Sequence, residues 1–271
     1  ARAKSELVAG LSAGSLAVLN QDDQAVAAMV FVAPDERAAV TFGFSAISQI
    51  RGSDIQTNHL GQLSITVEDQ DSLAPPQRID TKLTGTHLAI NVLAAIAAAV
   101  AIGIRLPEAA AALQEARPLS AHRMAVNELS NGALVLDDSY NSNPESVEAA
   151  LATAVDLANR AEKKLTVVLG SMLELGAASK AQHRRLGNLV ARSGAHRLIT
   201  VGEEARYFHE SAQNTGGIEL LHLPDTAGLA DRLWDEASDH FILLKGSHGI
   251  GLWQVADELV EPTQDRGDGR A

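Results

Sequence analysis

Leu134-Val-Leu-Asp-Asp-Ser-Tyr-Asn-Ser-Asn-Pro144 is the stretch of the chain that decides the fold. Its leading apolar residues predict a buried strand. Asn143-Pro144 predicts the start of a helix, because Asn is a favoured N-cap and Pro fits the first helical position. The polar residues 137–141 follow the carboxyl end of the strand, where open α/β sheets bind ligands. The stretch therefore predicts a ligand-binding turn or an ordinary solvated loop, since such turns are polar in any α/β protein.

The sequence after Met124 repeats this pattern of strand and then helix. The apolar runs predict strands at 134–136, 165–169, 198–201, 218–223 and 241–244. The segments between them predict helices at 144–159, 178–193, from 203, at 226–237, and at the end of the chain as far as about 259. Strands that alternate with helices are typical of an α/β fold with a parallel, doubly wound sheet.

The first part of the chain is more mixed. Residues 1–9 predict the end of a helix closed by Gly10, and residues 73–77 predict a turn. Four segments are β-like, namely 15–20, 27–32, 38–42 and 61–67. Residues 82–85 lead into a helix at 87–103, and a short helix runs from Pro107 to Pro118. We therefore expect one domain at 1–119, a second at 120–260, and a disordered polar tail at 261–271.

Composition limits the classes of function. The chain has 271 residues, of which 46% are hydrophobic and 3% aromatic, and a formal net charge of -12. Such acidity argues against nucleic acid as a partner, because binding phosphates needs clustered Lys and Arg. The absence of cysteine fits a reducing cytoplasm. The apolar run 88–104 is shorter than the ~20 residues of a membrane span, so a buried helix is the better interpretation.

Neither part of the chain contains G-x-x-x-x-G-K-[ST] or G-x-G-x-x-G, so the layout alone supports no claim of NAD binding. The chain begins without an initiator Met and without the apolar core of a signal peptide. From these features we expect a fragment of a longer protein.

Several motifs resemble one known family. The stretch at 134–144 resembles LxDDSYNxNP, the strand-turn-helix that opens the C-terminal domain of the MurF family of Mur ligases. Four further segments resemble the same family in its order, namely AKSE at 3–6, GTHLAIN at 85–91, PLSAHRM at 118–124 and GSMLELG at 170–176. The KGSH segment at 245–248 resembles the family's KGSR. The resemblance implies the distal part of a central ATPase domain, followed by a Rossmann-like ligase domain with a mostly parallel sheet.

In the first domain, the resemblance implies that Lys4 is the carbamylated lysine of the family. A carbamate would be an oxygen ligand for Mg²⁺. From the residues alone, a solvated helical lysine is the stronger interpretation. His87 and Asn91 lie four positions apart, and the resemblance brings Asn91 to the nucleotide base. Their alternative roles are a capping His and a buried Asn bonded to the backbone. Leu88 stands where the family has Asn, which leaves the contribution of that position open.

In the second domain, the resemblance directs Arg123 to the phosphates of ATP across an interdomain cleft, a task suited to the guanidinium fork. A structural interdomain ion pair is its alternative. Asp138 is assigned to the ribose hydroxyls, with Tyr140 and Asn141 lining the rest of the pocket. Successive side chains of a strand point to opposite faces, so Asp137 and Asp138 are not expected to share a task. The resemblance implies that Asp138, not Asp137, faces the nucleotide. For Asn143 we prefer a helix cap to a ligand contact.

The second substrate is expected at two further loops. The resemblance implies that Met172 and Glu174 face the cleft, and that His183 takes the place of a family histidine counted among the catalytic residues with Lys4 and Arg123. Three residues of the 245–248 segment, Lys245, Ser247 and His248, are expected where the carboxylate of a dipeptide docks. His248 replaces a family Arg, and Trp253-Gln254 stands near the usual Glu, so the specificity for the dipeptide is open.

The activity that the resemblance implies is ATP-dependent formation of an amide bond. UDP-MurNAc-tripeptide would be activated as an acyl phosphate and joined to D-Ala-D-Ala, in the synthesis of peptidoglycan precursors. The expected cofactors are ATP and Mg²⁺, and the expected protein is a cytoplasmic monomer without membrane insertion. This chain alone is expected to be inactive, because it lacks a phosphate-cradling loop. The alternative from another class is a non-catalytic module that binds a nucleotide or a peptide.

Overall fold

The structure is a computed structural model that describes residues 2–12, 14–32, 39–116 and 121–260. The chain forms two compact units, Ala1–Arg117 and Pro118–Ala271. The expected boundary at 119/120 and the expected disordered tail both lie outside the described residues. Within the described residues, no helix is long and apolar enough to cross a membrane.

The first unit is a five-stranded mixed sheet with helices. Its strands are β1 (Ala17–Asn20), β2 (Ala39–Gly43), β3 (Ile50–Thr57), β4 (Gln62–Asp69) and β5 (Gln77–Thr84), in that spatial order. Its helices are α1 (Arg2–Ala9), α2 (Gln24–Ala27), α3 (Ala89–Ala101) and α4 (Leu106–Glu115). Strands β1 to β3 are parallel, and β3 to β5 are antiparallel. Helix α3 buries Leu93 and Ile96 in a core shared with Ile50, Leu63 and Ile65 of the sheet.

The predicted β-like segment at 27–32 is wrong. Its first residue ends α2, and Ala28–Val32 is a 3₁₀ helix. The carboxylate of Asp23 accepts hydrogen bonds from the backbone N–H groups of Ala25 and Val26, which caps α2 and starts a helix in an apolar run. Apolar content alone does not distinguish a short helix from a strand.

Strands β3 and β5 were not predicted as strands. Both are rich in polar residues, and β5 buries only Ile79, Thr81 and Thr84 of its eight residues. It is an edge strand in which only Arg78 and Asp80 are exposed and the other side chains are buried or half-buried. Strand β4 has a clear alternation, in which Leu63, Ile65 and Val67 are buried. Strand β5 has no such alternation of apolar and polar residues, so its sequence does not identify it as a strand.

The second unit is a six-stranded sheet with helices on both faces. Its strands are β6 (Ala125–Glu128), β7 (Leu134–Asp137), β8 (Lys164–Gly170), β9 (Arg197–Val201), β10 (Glu219–Leu223) and β11 (His240–Lys245). Its helices are α5 (Pro144–Arg160), α6 (Ser179–Arg192), α7 (Arg206–Thr215), α8 (Leu229–Glu236) and α9 (Leu252–Val260). The spatial order of the strands is β10-β9-β8-β11-β7-β6, and only β6 is antiparallel to its neighbour. The predicted α/β fold with a mostly parallel sheet is confirmed.

The sheet is covered by two separate cores. Helices α5, α6 and α7 bury apolar residues with Phe241 and Leu243 on one face. Helices α8 and α9 do the same with Ile242 and Leu244 on the other face. Because β11 is buried on both faces, its sequence is a continuous apolar run instead of an alternation.

The path of the chain gathers three loops at one end of this sheet. From β8 the chain moves outward through β9 and β10, and it then returns to place β11 between β8 and β7. The carboxyl ends of β7, β8 and β11 are therefore adjacent, because these three strands are parallel neighbours. Ligands of open α/β sheets bind where the strand order changes direction in this way.

We predict that residues 121–260 fold without the first unit. This segment contains a complete two-faced sheet with its own cores. Its unfolding in urea should be cooperative, with the same midpoint by circular dichroism and by tryptophan fluorescence. Separate midpoints for the two probes would contradict the prediction.

Helices α6 and α7 pack closely at Gly187. A Cβ at this position would lie 2.2 Å from the hydroxyl of Ser211 and 2.3 Å from the backbone oxygen of Phe208. The backbone of α7 cannot turn away as a flexible side chain could. We expect Gly187→Ala to destabilise the chain by about 3 kcal/mol, the upper end for overpacking, despite the better helix propensity of Ala.

The measurement for Gly187→Ala is the free energy of unfolding in urea. Leu189→Ala is the matched control, because Leu189 lies on the exposed side of the same helix. A Gly187→Ala protein as stable as the control would show that α6 and α7 can separate without cost.

Candidate active site

The loop after β7 is attached to β11 by a buried lysine. The Nζ of Lys245 donates to Asp138 Oδ2 at 2.6 Å and to the backbone oxygen of Asn141 at 2.8 Å. The Lys245 side chain is 1% exposed and the Asp138 side chain 15%. The backbone N–H of Asp138 also donates to the oxygen of Leu244. The pair therefore fixes the carboxylate of Asp138 at the carboxyl end of the sheet.

This arrangement favours a positioning role for Lys245 over the substrate-binding role that the resemblance implies. The ammonium is buried, and its hydrogen bonds go to the protein's own loop. Removal of one partner from a buried ion pair typically costs about 3–5 kcal/mol, because the other charge stays buried and uncompensated. Lys245 thus holds the loop at 138–141 in place.

The neighbouring carboxylate faces other partners. Asp137 is 4% exposed. Its Oδ1 accepts from the hydroxyl of Ser139 at 2.6 Å, and its Oδ2 lies 2.7 Å from Nδ1 of His122. The two adjacent acids therefore serve different contacts, as the alternation of side chains along a strand predicts.

Arg123 and the rings of Tyr140, His248 and Trp253 lie in a row at this end of the second unit. We call these four residues the aromatic row. The guanidinium carbon of Arg123 lies 4.3 Å from the centroid of the Tyr140 ring, and the His248 ring lies 5.6 Å from Tyr140, edge to face. His248 in turn stacks on Trp253 at 5.4 Å with 19° between the planes. Arg123, Tyr140 and His248 are exposed, so the row forms a surface that a ligand can reach.

The loop after β8 is held from two sides. The backbone N–H of Leu173 donates to the hydroxyl of Ser247, and that of Met172 donates to Nε2 of His183. The Met172 side chain is fully buried in the core, whereas Glu174 is exposed with φ at 64°. A left-handed conformation in a residue other than glycine is uncommon and is found at functional sites. Glu174 is thus the charged member of this loop that is presented to solvent, beside the exposed Leu173.

The His183 ring has no exposed surface, and both of its nitrogens have partners within the protein. Nδ1 lies 2.8 Å from the backbone oxygen of Ser179 and donates to it, while Nε2 accepts from Met172. Burial lowers the pKa of His183, against the opposing effects of the Ser179 hydrogen bond and of Glu204. The neutral, buried ring favours a positioning role over the catalytic role that the resemblance implies.

Two asparagines of the loop after β7 differ in their tasks. Asn143 caps α5, because its side chain accepts from the N–H of Ser146 while the Ser146 hydroxyl accepts from the N–H of Asn143. The predicted helix cap is confirmed. Asn141 is exposed, and its side-chain oxygen accepts from the N–H of Ser142. Asn141, unlike Asn143, takes no part in capping the helix.

The remaining predicted residues belong to the first unit. Lys4 is exposed on α1, His87 is exposed in the 3₁₀ turn Thr86–Leu88, and Asn91 is exposed in the first turn of α3. The exposure of Asn91 excludes the alternative of a buried Asn bonded to the backbone. His87 and Asn91 lie at the start of the same helical segment.

Sequence reasoning missed His122 and Ser139. Both bond Asp137. The contact of Ser139 is local, because an Asp side chain commonly bonds the backbone two residues on. No pattern in the sequence signals the contact of His122. Asp137 was not assigned to the nucleotide, but its bond to His122 connects strand β7 to the segment that carries Arg123. Such a contact depends on the path of the chain before β6, which periodicity does not predict.

Two family descriptions match the chain, one in each unit. "Mur ligase middle domain" matches residues 1–99, and "Mur ligase, glutamate ligase domain" matches residues 122–248. The class of protein that this fold and these matches define is the Mur ligase family, and the chain belongs to it.

Within that family, the chain is similar to MurF proteins, as the motifs predicted. It is 32% identical to the UDP-N-acetylmuramoyl-tripeptide–D-alanyl-D-alanine ligase of Mycobacterium leprae, over 96% of this chain and 54% of that protein. The enzyme of the same name from Escherichia coli is 28% identical, over 96% of this chain and 55% of that protein. The chain thus spans about half the length of the curated relatives it matches.

Solved structures show the same fold. A crystal structure of MurF from Acinetobacter baumannii superposes with a TM-score of 0.79 at 22% identity, over 96% of this chain and 55% of that one. MurF from Thermotoga maritima, solved in complex with ADP, gives a TM-score of 0.74 at 20% identity, over 95% and 56% of the two chains. At these identities the likeness concerns the fold.

We predict that the stability of the chain falls below neutral pH. Burial is the largest cause of the lowered pKa of His183, His222 and His240, so the unfolded chain takes up protons at these positions before the folded chain does. This stabilisation is fully present above the ordinary histidine pKa of about 6.5, and it is lost as the pH falls through the lower folded values. The Tm should therefore drop between about pH 7.5 and 5.5.

His183→Gln is the matched variant for this prediction. The glutamine oxygen can accept from Met172, as Nε2 of His183 does, but the side chain does not titrate. Its Tm should therefore fall less between the two pH values than that of the unchanged chain. An equal fall in both proteins would show that His183 contributes nothing to the pH dependence.

Proposed function

We propose that the chain supplies the nucleotide-binding and amine-positioning residues of an ATP-dependent amide ligase that joins D-Ala-D-Ala to UDP-MurNAc-tripeptide. The observation that carries the proposal is the fixed carboxylate of Asp138 beside the aromatic row, at the carboxyl ends of β7 and β11. The named relatives act on these substrates, as their names state.

The proposed reaction has two steps. A carboxylate oxygen of the tripeptide attacks the γ-phosphorus of ATP, so that ADP leaves and an acyl phosphate forms. The amine of D-Ala-D-Ala then attacks the acyl carbon, an amide bond forms, and inorganic phosphate leaves with the loss of a proton from the nitrogen. The tasks of the protein are to hold the reactants in line and to stabilise the charge that develops.

The residues assigned to the nucleotide are the following. Asp138 accepts the ribose hydroxyls, since a carboxylate has lone pairs beyond the one that Lys245 uses. Tyr140 and Asn141 line the pocket beside it. Arg123 offers its guanidinium to the phosphates. The contact with the Tyr140 ring holds this guanidinium within the aromatic row. Asn91, with His87, is assigned to the base.

The amine-bearing substrate is assigned to the loops after β8 and β11. Glu174 and His248 are exposed there, and Ser247 ties the two loops together through Leu173. Met172 shapes the loop from the core side. His248 has an imidazole where the family has a guanidinium, so a carboxylate would meet a single ring donor instead of a bidentate fork.

Magnesium does not fit the described residues as a complete site. Among them, no group of three or more His, Asp or Glu side chains is placed to hold a metal ion. A carbamate on Lys4 would supply one oxygen-bearing ligand, whereas Mg²⁺ takes octahedral coordination. Lys4, as a carbamate, is the residue that would contribute a ligand to Mg²⁺.

Location and assembly belong to the same proposal. A ligase that consumes ATP and a nucleotide-linked precursor acts in the cytoplasm, where both are found. The net charge of -12 disfavours a nucleic acid partner. We infer a monomer that needs neither nucleic acid nor insertion into a membrane.

Asp138→Asn tests the nucleotide assignment. The asparagine oxygen can still accept from Lys245, so the buried ammonium keeps a partner, but the charged acceptor for the ribose is lost. Hydrogen bonds to charged groups contribute roughly 1.5–3 kcal/mol, so kcat/KM for ATP should fall about 10- to 100-fold. The measurement is release of phosphate by the full-length protein with both substrates.

The matched control is Asp156→Asn, which removes an exposed carboxylate paired with Arg160 on α5. It should leave kcat/KM unchanged. If Asp138→Asn kept full ATP efficiency with an unchanged Tm, the assignment of Asp138 to the nucleotide would be wrong. Binding of ADP and of D-Ala-D-Ala by a full-length protein without turnover would favour the non-catalytic binding module.

A further inference from the structure

The segment that carries Arg123 has an unusual backbone. His122 has φ at 59° and Met124 has φ at 54°, both in the left-handed region. This conformation is uncommon in residues other than glycine, although His is among the less disfavoured, and two such residues around one position persist only where the surroundings impose it. Arg123 lies between them, so the direction of its side chain depends on whatever holds its two neighbours.

The His122 side chain is held by a buried carboxylate. Its Nδ1 donates to Asp137 Oδ2 at 2.7 Å, since an ionised carboxylate only accepts. The other oxygen of Asp137 accepts from the N–H of Ser139 at 3.1 Å and from its hydroxyl at 2.6 Å. The carboxylate therefore cannot rotate without loss of several hydrogen bonds. The His122 ring is 16% exposed and thus lies mostly within the protein.

The backbone of His122 is hydrogen-bonded to the backbone of Tyr140, the residue whose ring receives Arg123. Its carbonyl oxygen accepts from the N–H of Tyr140 at 3.0 Å. The His122 ring also lies 6.0 Å from Trp253, and its Nε2 lies 3.8 Å from an oxygen of Asp257. His122 thus contacts two members of the aromatic row, Tyr140 through its backbone and Trp253 through its ring, and Arg123 follows it directly in the chain.

We propose that His122, clamped by Asp137, is a positioning residue that sets the guanidinium of Arg123 over Tyr140 for contact with phosphates. The last part rests on the proposed function, because it gives Arg123 its ligand. The clamp works through the backbone, since it fixes the left-handed turn at residue 122 from which the Arg123 side chain leaves. His122 itself needs no contact with substrate.

Three substitutions at position 122 distinguish the effect of the side-chain hydrogen bond from the effect of the positive φ. In His122→Asn, the amide nitrogen stands close to the place of Nδ1 and can donate to Asp137, and Asn tolerates positive φ. In His122→Gly the positive φ is free of strain, but nothing bonds Asp137. His122→Ala loses both. The comparison of Asn with Gly therefore isolates the hydrogen bond to Asp137.

The first measurement is the NMR signal of the Nε–Hε group of Arg123 in the whole chain. The Tyr140 ring should shift this signal, and Tyr140→Leu defines the position without the ring. Arg123→Lys assigns the signal. We expect His122→Asn to keep the shift, and His122→Gly and His122→Ala to lose it. The remaining amide signals and the Tm report whether each variant is folded.

The second measurement is the kinetics of the full-length protein with ATP. The Gly variant should raise KM for ATP by about 10- to 100-fold with a smaller change in kcat, since a displaced group that binds phosphate weakens binding, and small misplacements have effects of this size. The Asn variant should retain KM within about threefold. This change is smaller than the tenfold step that corresponds to about 1.4 kcal/mol, so it is distinguishable from the effect of the Gly variant.

The outcomes are distinct. A folded His122→Gly protein with the shifted Arg123 signal would overturn the proposal, because the backbone alone would then set the guanidinium. A folded His122→Asn protein without the shifted signal would also overturn it. Loss of the signal in the Gly variant with unchanged KM would support the positioning role and reject the contact of Arg123 with ATP, which belongs to the proposed function.

Discussion

The buried ion pair of Lys245 and Asp138 is the interaction on which the site depends. An ammonium with 1% exposure is stable only if its donors are satisfied, and the acceptors are the Asp138 carboxylate and the carbonyl oxygen of Asn141. Both acceptors lie in the loop after β7, while the lysine ends β11. The loop can therefore take only the conformations that keep the lysine paired, which makes an otherwise ordinary polar turn rigid.

The topology of the sheet makes this pair possible. Because the chain returns from β10 to insert β11 between β8 and β7, the residues after β11 can reach the loops on both sides. Lys245 holds the loop after β7, and Ser247 holds the loop after β8 through the N–H of Leu173. His183 anchors that second loop from below through Met172. The strand that is last in sequence is thus the centre of the site.

In the second unit the sequence predicted strands β7 to β11 but not the edge strand β6, and it predicted less of the first unit. Strands buried on both faces, such as β8 and β11, have apolar runs that leave little choice, whereas the polar edge strand β5 has no such signal. The motifs predicted Asp138, Tyr140 and His248 as candidate site residues, because each of them lies within a short sequence pattern. The clamp of His122 on Asp137 was not predictable, because it joins two segments whose approach depends on the whole fold.

The aromatic row also changes the meaning of two departures from the family pattern. Read singly in the sequence, His248 and Trp253 are two losses of polar groups. In the fold they are partners, stacked at 5.4 Å, and His248 continues through Tyr140 to Arg123. Residues in contact do not contribute independently, so the effect of restoring an arginine at 248 depends on the indole that it would meet. An arginine stacked on Trp253 would lie beside the Tyr140 ring, which already receives the guanidinium of Arg123. The two departures therefore form one contact in the site, and the effect of changing either residue depends on the other.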